Sequence, residues 1–92
     1  MPVEFDHAKR QATLDHRGLD MARAGEVFAG ATITIEDDRQ DYGEVRFITV
    51  GRLDGRMVVI VWTPRGAARR IISLRKANDR EQALYAPRLD RP

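Results

Sequence analysis

Apolar and polar residues alternate at Val3-Glu4-Phe5, which predicts a short first strand. The spacing then becomes helical. Asp6 offers an N-cap for a helix over His7 to about Arg17, with Gly18 in the terminating position. Ala8, Gln11, Ala12 and Leu14 give this helix only a weak apolar stripe. Asp20 is a second N-cap, followed by Met21, Ala24, Val27 and Phe28 at the spacing of one helical face, and Gly30 closes that segment.

Four strand patterns follow. Thr32-Ile33-Thr34-Ile35 alternates and stops at Glu36-Asp37-Asp38, and Val45 to Val50 is rich in β-branched and aromatic residues. Asp54-Gly55 is a strong hairpin signal, because both residues tolerate the positive φ of a type I′ turn. Met57 to Trp62 is continuously apolar, as expected of a central strand covered on both faces. Thr63-Pro64-Arg65-Gly66 reads as a turn, and Ala68 to Leu74 as the last strand. Asn78-Asp79-Arg80-Glu81 has the form of a capping box, opening a helix that Pro87 is expected to stop. The predicted order is β-α-α-β-β-β-β-α. Tight turns between consecutive strands predict an α+β fold, a small antiparallel sheet with two N-terminal helices and a C-terminal helix. One domain over residues 1–92 is expected, compact over about 2–87, with 88–92 as a tail.

Composition narrows the class. A hydrophobic content of 42% with 33% charged residues argues for a folded chain rather than a disordered one. There is no cysteine, which excludes a disulfide framework and a thiol nucleophile. Neither a signal-peptide core nor a membrane-length apolar run is present, so the expectation is a cytoplasmic protein with no membrane role. The net charge of +2 hides a split. Residues 45–80 carry nine Arg and Lys against Asp54 and Asp79, whereas 32–44 carry five acids and only Arg39. A basic sheet after an acidic loop points to phosphates as partners.

The candidate chemistry is sparse. His7 and His16 lie nine apart with no thiolate to join them, and Asp37, Asp38 and Asp41 lack the spacing of a calcium loop. No metal or cofactor is expected, and 36–44 reads as a solvated acidic loop. Strict alternation would set Arg69, Ile71, Ser73 and Arg75 on one face of the last strand and Arg70, Ile72 and Leu74 on the other. With Arg46 and Arg65 nearby, these guanidinium groups either gather into a phosphate-binding surface or solvate an exposed sheet face. The acid–base candidates are Glu44, His16, His7, Lys9, Lys76 and Tyr85, with Glu44 the foremost carboxylate. Ribonuclease chemistry suits such a set. The RNA 2′-OH is its own nucleophile, and the protein supplies only a base, an acid and cations.

Several blocks resemble the BrnT-type toxins of bacterial type II toxin–antitoxin systems. They are Glu4-Phe5-Asp6 with Lys9, then Ala24 and Val27-Phe28, then Glu44, Arg46-Phe47 and Gly51. Thr63-Pro64-Arg65-Gly66 follows, and above all Arg70-Ile71-Ile72-Ser73-Leu74-Arg75-Lys76-Ala77 with Glu81 and Tyr85. The resemblance implies a RelE-like ribonuclease that cuts RNA and arrests translation. It also implies a cognate BrnA-like antitoxin that forms a hetero-oligomer with the toxin and alone contacts DNA, to repress their operon. One departure is chemical. Where the family usually reads Lys-His-Gly-Val, this chain has His16-Arg17-Gly18-Leu19, and a guanidinium does not give up its proton.

The resulting expectation is a metal-independent endoribonuclease. Arg46, Arg65, Arg70, Arg75 and Lys76 would hold the RNA backbone, Glu44 or His16 would act as general base, and Lys9 and Arg17 would support from the first helix. Tyr85 is a further RNA-binding candidate. The alternative is a non-catalytic module whose basic sheet face holds RNA or an acidic partner segment.

Overall fold

A computed structural model describes residues 1–91. Strand β1 (Val3–Glu4) leads into helix α1 (His7–Arg17), a 3-10 turn (Met21–Arg23) and helix α2 (Ala24–Ala29). Strands β2 (Ile33–Glu36), β3 (Phe47–Leu53), β4 (Arg56–Arg65) and β5 (Ala68–Lys76) precede helix α3 (Asp79–Leu89). The sheet order is β1-β5-β4-β3-β2. β2 to β5 form the expected antiparallel meander, while β1 pairs parallel with β5 through Val3–Arg69 and Glu4–Arg70, so the sheet is mixed. No described helix is long and apolar enough to cross a membrane.

Local chemistry accounts for the ends of the elements. Asp6 accepts from the Lys9 N–H at 2.9 Å to start α1, and the Gly18 N–H returns to the Leu14 carbonyl. Asp20 caps the 3-10 turn rather than an α-helix, its carboxylate accepting from Ala22 N–H. It also takes a two-pronged ion pair from Arg10, at 2.7 and 2.9 Å, which holds its pKa down at about 2 and ties α1 to the turn. Asp54 and Gly55, at φ 52° and 78°, form the β3–β4 hairpin as expected. The capping box of α3 is also present, with Asn78 Oδ1 accepting from Glu81 N–H and Glu81 Oε1 from Asn78 N–H.

Two expectations about prolines are corrected. Thr63-Pro64-Arg65 continues β4 instead of turning, since Thr63, Pro64 and Arg65 pair with Arg70, Arg69 and Ala68. Helix α3 runs through Pro87 to Leu89, because the missing N–H costs one bond while Leu89 gains burial against Val50, Met57, Val59 and Ala77. Residues 88 and 89 are thus helix, not tail, and Pro92 lies outside the described residues.

A β-bulge reorganises the last strand. Trp62 pairs with Ile71 but Val61 pairs with Ser73, so Ile72 is the extra residue. Strict alternation fails there. Ile71 and Leu74 share the core beneath α1, the 3-10 turn and α2, packed with Leu19, Met21, Ala24, Val27, Val58, Ile60 and Trp62. By register, Arg70, Ser73 and Arg75 share the opposite face, where α3 covers only the end around Val50, Met57 and Val59. Arg69 lies on the helical side, apart from Arg75, which corrects the expected partition.

Candidate nucleic-acid interface

Arg65, Arg70 and Arg75 share a face, Arg70 joining Arg75 there against the expected partition, but they do not converge on one point. Arg65, Arg70, Ser73 and Arg75 pair with or occupy β4 positions 65, 63, 61 and 59. At about 3.3 Å per residue, Arg70 stands ~7 Å from Arg65 along the sheet, Ser73 ~13 Å and Arg75 ~20 Å. One phosphate cannot touch both ends. The arrangement is a track, and each guanidinium along it meets a different part of an extended polyanion.

The end near Arg65 is a small ionic corner. Glu44 Oε2 accepts from Arg46 Nε at 3.2 Å, and Oε1 lies 3.5 Å from Arg65 Nη2. The Arg46 guanidinium stacks over the Tyr42 ring at 4.1 Å. The preceding loop is more built than its composition suggests. Asp37 is buried, held by Arg39 at 2.7 and 2.8 Å and by the Tyr42 hydroxyl at 3.1 Å, and these bonds bring its pKa down to about 2. The expectation of a solvated acidic loop fails at this residue. Asp37 is committed to Arg39 and Tyr42, and among the described residues no three His, Asp or Glu side chains form a metal-ligating cluster.

At the other end, Arg75 forms a bidentate pair with Glu81, both bonds at 2.8 Å. That pair draws the Glu81 pKa down to about 2. It raises Arg75 in turn, against desolvation and the like charge of Arg39. Lys76 is exposed, and Tyr85 packs half-buried against the core cluster of Val50, Met57, Val59, Ala77 and Leu89 beneath α3. Arg70, half-buried between these ends, has no acid within 4.0 Å among the described residues.

The α1 residues occupy a separate place, the free edge of β5. Because β1 is two residues long, β5 beyond Arg70 has no strand neighbour on that side. Two cations of α1 cover the gap. Lys9 Nζ donates to the Ile72 carbonyl at 3.3 Å, and Arg17 Nη1 to the Leu74 carbonyl at 2.8 Å. Arg17, the departure from the family pattern, therefore satisfies a backbone acceptor that an edge strand would leave open. A groove of about 480 Å³ lies here, lined by Lys9, Ala12, Thr13, His16, Arg17, Met21, Ile72 and Ser73. No carboxylate lines it. His16 and Glu44 are thus not one acid–base pair, since Glu44 bonds Arg65 while His16 shares its groove with Ser73, ~13 Å further along the sheet.

Sequence reasoning missed two features. Arg69 lies over Phe28 at 4.1 Å and Trp62 at 5.1 Å, with its buried Nε lacking a partner; it shares the face of Ile71, and the bulge separates it from Arg75. The buried bonding of Asp37 has no local signal beyond Arg39 two residues on.

No curated protein matches the chain. The family model described as the ribonuclease toxin BrnT of type II toxin–antitoxin systems matches residues 5–81. The matched span runs from Phe5, just after β1, to the start of α3, and so includes every track and groove residue. This chain belongs to the BrnT family of type II toxin–antitoxin ribonuclease toxins.

Proposed function

We propose that this chain is a metal-independent endoribonuclease toxin that acts in the cytoplasm, cuts RNA, arrests translation and is neutralised by a cognate BrnA-like antitoxin in a hetero-oligomer, DNA being met only through that antitoxin. The observation that carries the site is the groove at the β5 edge, where Lys9, His16, Arg17 and Ser73 line one concavity with no acid among them. His16 is its one imidazole, a side chain able both to accept a proton and to return it. In this reading the 2′-OH of a bound nucleotide attacks the adjacent phosphorus as His16 accepts its proton. The bond to the next nucleotide's 5′-oxygen breaks, a proton returns to that oxygen, and the products are a 2′,3′-cyclic phosphate and a 5′-OH end. Lys9 and Arg17 offset the negative charge that builds on the phosphorane oxygens.

The track holds the remaining chain of phosphates. Arg75 lies two residues from Ser73 on the same face, so the edge groove runs on into the track, with Arg70, Arg65 and the Glu44–Arg46 corner extending away from it, while Lys76, paired with Val58, is on the other face. Tyr85 supports Leu89 and α3 more than it meets RNA. The exposed apolar side chains Ile35, in β2, and Val45, in the loop before β3, at 49% and 51%, suit contact with the antitoxin. A binding module without turnover is favoured by one observation only, the use of Arg17 for a backbone carbonyl at the place where the family usually has histidine.

Expression of the chain from a repressed promoter tests the reading. Growth arrest that is lost in His16→Gln and in Arg75→Ala, with both variants folded, supports it. Full toxicity in both variants would sink the site assignment.

A further inference from the structure

The groove at the β5 edge has more than charge. Its floor is apolar: Met21 is 1% exposed, and the Ala12 methyl and Ile72 side chain flank it. Its rim is cationic, from Lys9, His16 and Arg17. Thr13 also lines it, and its hydroxyl makes no hydrogen bond among the described residues, while Ser73, whose side chain turns to the track face, borders it at the strand edge. About 480 Å³ falls within the ~300–1,000 Å³ range of small-ligand pockets. An apolar floor, a free hydroxyl beside it and a positive rim fit a flat heterocycle carrying a phosphate.

We infer that this groove is a nucleotide subsite, in which one RNA base lies against Ala12 and Ile72 over the buried Met21, its edge is read by the Thr13 hydroxyl, and its phosphate rests on Lys9, His16 and Arg17. The inference rests on the ribonuclease reading for its biological substrate, but the binding it describes does not require turnover. The subsite explains why the bulge matters. Insertion of Ile72 turns Ser73 to the track face while the neighbouring Ile72 and Leu74 carbonyls stay at the α1 side, held by Lys9 and Arg17. The rim cations are thereby fixed before ligand arrives, and fixed donors lose less freedom on binding. It also assigns base preference to a residue, Thr13, that holds no charge.

The test is a titration of the full chain with each of the four ribonucleoside 5′-monophosphates, followed by amide chemical shifts, with ribose 5-phosphate as the baseless control. The expected result is saturable shifts at Thr13, His16 and Ser73 for at least one nucleotide, with ribose 5-phosphate at least about tenfold weaker. Ala12→Trp, at an exposed helix position, fills the floor and should weaken nucleotide binding about tenfold while leaving ribose 5-phosphate unchanged. Thr13→Val, which keeps shape and removes the hydroxyl, should alter the ranking of the four bases. Equal shifts with nucleotide and ribose 5-phosphate would reduce the groove to an anion site and overturn the inference. So would shifts induced by an acidic apolar peptide but by no nucleotide, which would assign the groove to a protein partner. Cleavage of RNA is scored separately: nucleotide binding without cleavage removes the enzyme reading and leaves the subsite standing, and cleavage without nucleotide binding does the reverse.

Discussion

Glu81→Gln separates two jobs that one side chain performs. Glu81 closes the capping box of α3 with Asn78 and also holds Arg75 through two bonds of 2.8 Å. Glutamine retains the first, since either residue serves at that position, and removes the charge from the second. The Glu81 pKa falls from 4.5 to about 2, chiefly through the hydrogen bonds from Arg75. At 1.36 kcal/mol per pKa unit the full shift would correspond to about 3 kcal/mol. Arg75 is 42% exposed, however, and solvent screening brings the expected contribution to about 1–2 kcal/mol. The sign follows from a folded-state pKa below the unfolded one. The contribution is fully present above about pH 4.5, and is lost as pH falls toward 2. Urea denaturation across pH 2 to 7 measures it. The variant should be about 1–2 kcal/mol less stable at pH 7, and the gap should close at the acid end. The same change releases the Arg75 guanidinium, so single-stranded RNA binding should tighten and its log–log salt slope steepen by ~0.7. A stability gap that does not change with pH would refute the ionic account of this pair, and unchanged RNA affinity would remove Arg75 from the track.

Other parts of the structure make equally definite predictions. Arg17→Ala leaves the Leu74 carbonyl on an open strand edge and should cost about 1 kcal/mol in denaturant unfolding; no loss would show that the 2.8 Å bond is immaterial. Gly51→Ala places a methyl 2.7 Å from Val27 Cγ1 and 3.1 Å from Thr32 Cγ2, and Val27 is fully buried, so destabilisation of about 1–3 kcal/mol is expected in the same assay. Trp62→Phe removes the indole N–H donor to the buried Thr49 hydroxyl, 2.8 Å away, and should cost at least about 1 kcal/mol even though Thr34 still meets that oxygen.

Much of the fold was legible because local signals agreed with the global one. Asp6, Asp20 and Asn78 each cap an element, Asp54-Gly55 makes the hairpin, and the apolar run at Met57 to Trp62 lies in the middle of the sheet between β3 and β5. What failed was decided by tertiary contacts. The bulge at Ile72 depends on how β5 aligns with β4, and no residue of Arg70 to Leu74 announces it. Pro87 is a strong local stop that is outweighed by the burial of Leu89, which only the position of the second cluster reveals. Asp37 read as one acid among several, and its burial follows from the loop folding back, with Asp37 N–H on the Arg46 carbonyl.

The candidate site was legible as residue types and illegible as geometry. The basic excess of the last strands was plain, but strict alternation set Arg70 and Arg75 on opposite faces, and only the bulge brings them to one. The excess gave no sign that this set extends over ~20 Å, or that Glu44 and Glu81 neutralise its two ends. Nor do Lys9, His16 and Arg17 reveal their groove in sequence, because α1 has no buried residue and its amphipathic pattern is faint. Their common location depends on the shortness of β1, which leaves an edge for α1 to cover.

The central claim is that this chain, alone and without a metal, cleaves RNA at the β5-edge groove. The purified protein incubated with total RNA in EDTA tests it most directly, with His16→Gln in parallel. Discrete fragments ending in 2′,3′-cyclic phosphates, absent with the variant, are the predicted result. Intact RNA retained in a salt-dependent manner by the folded wild-type chain would contradict the claim and establish a binding module instead.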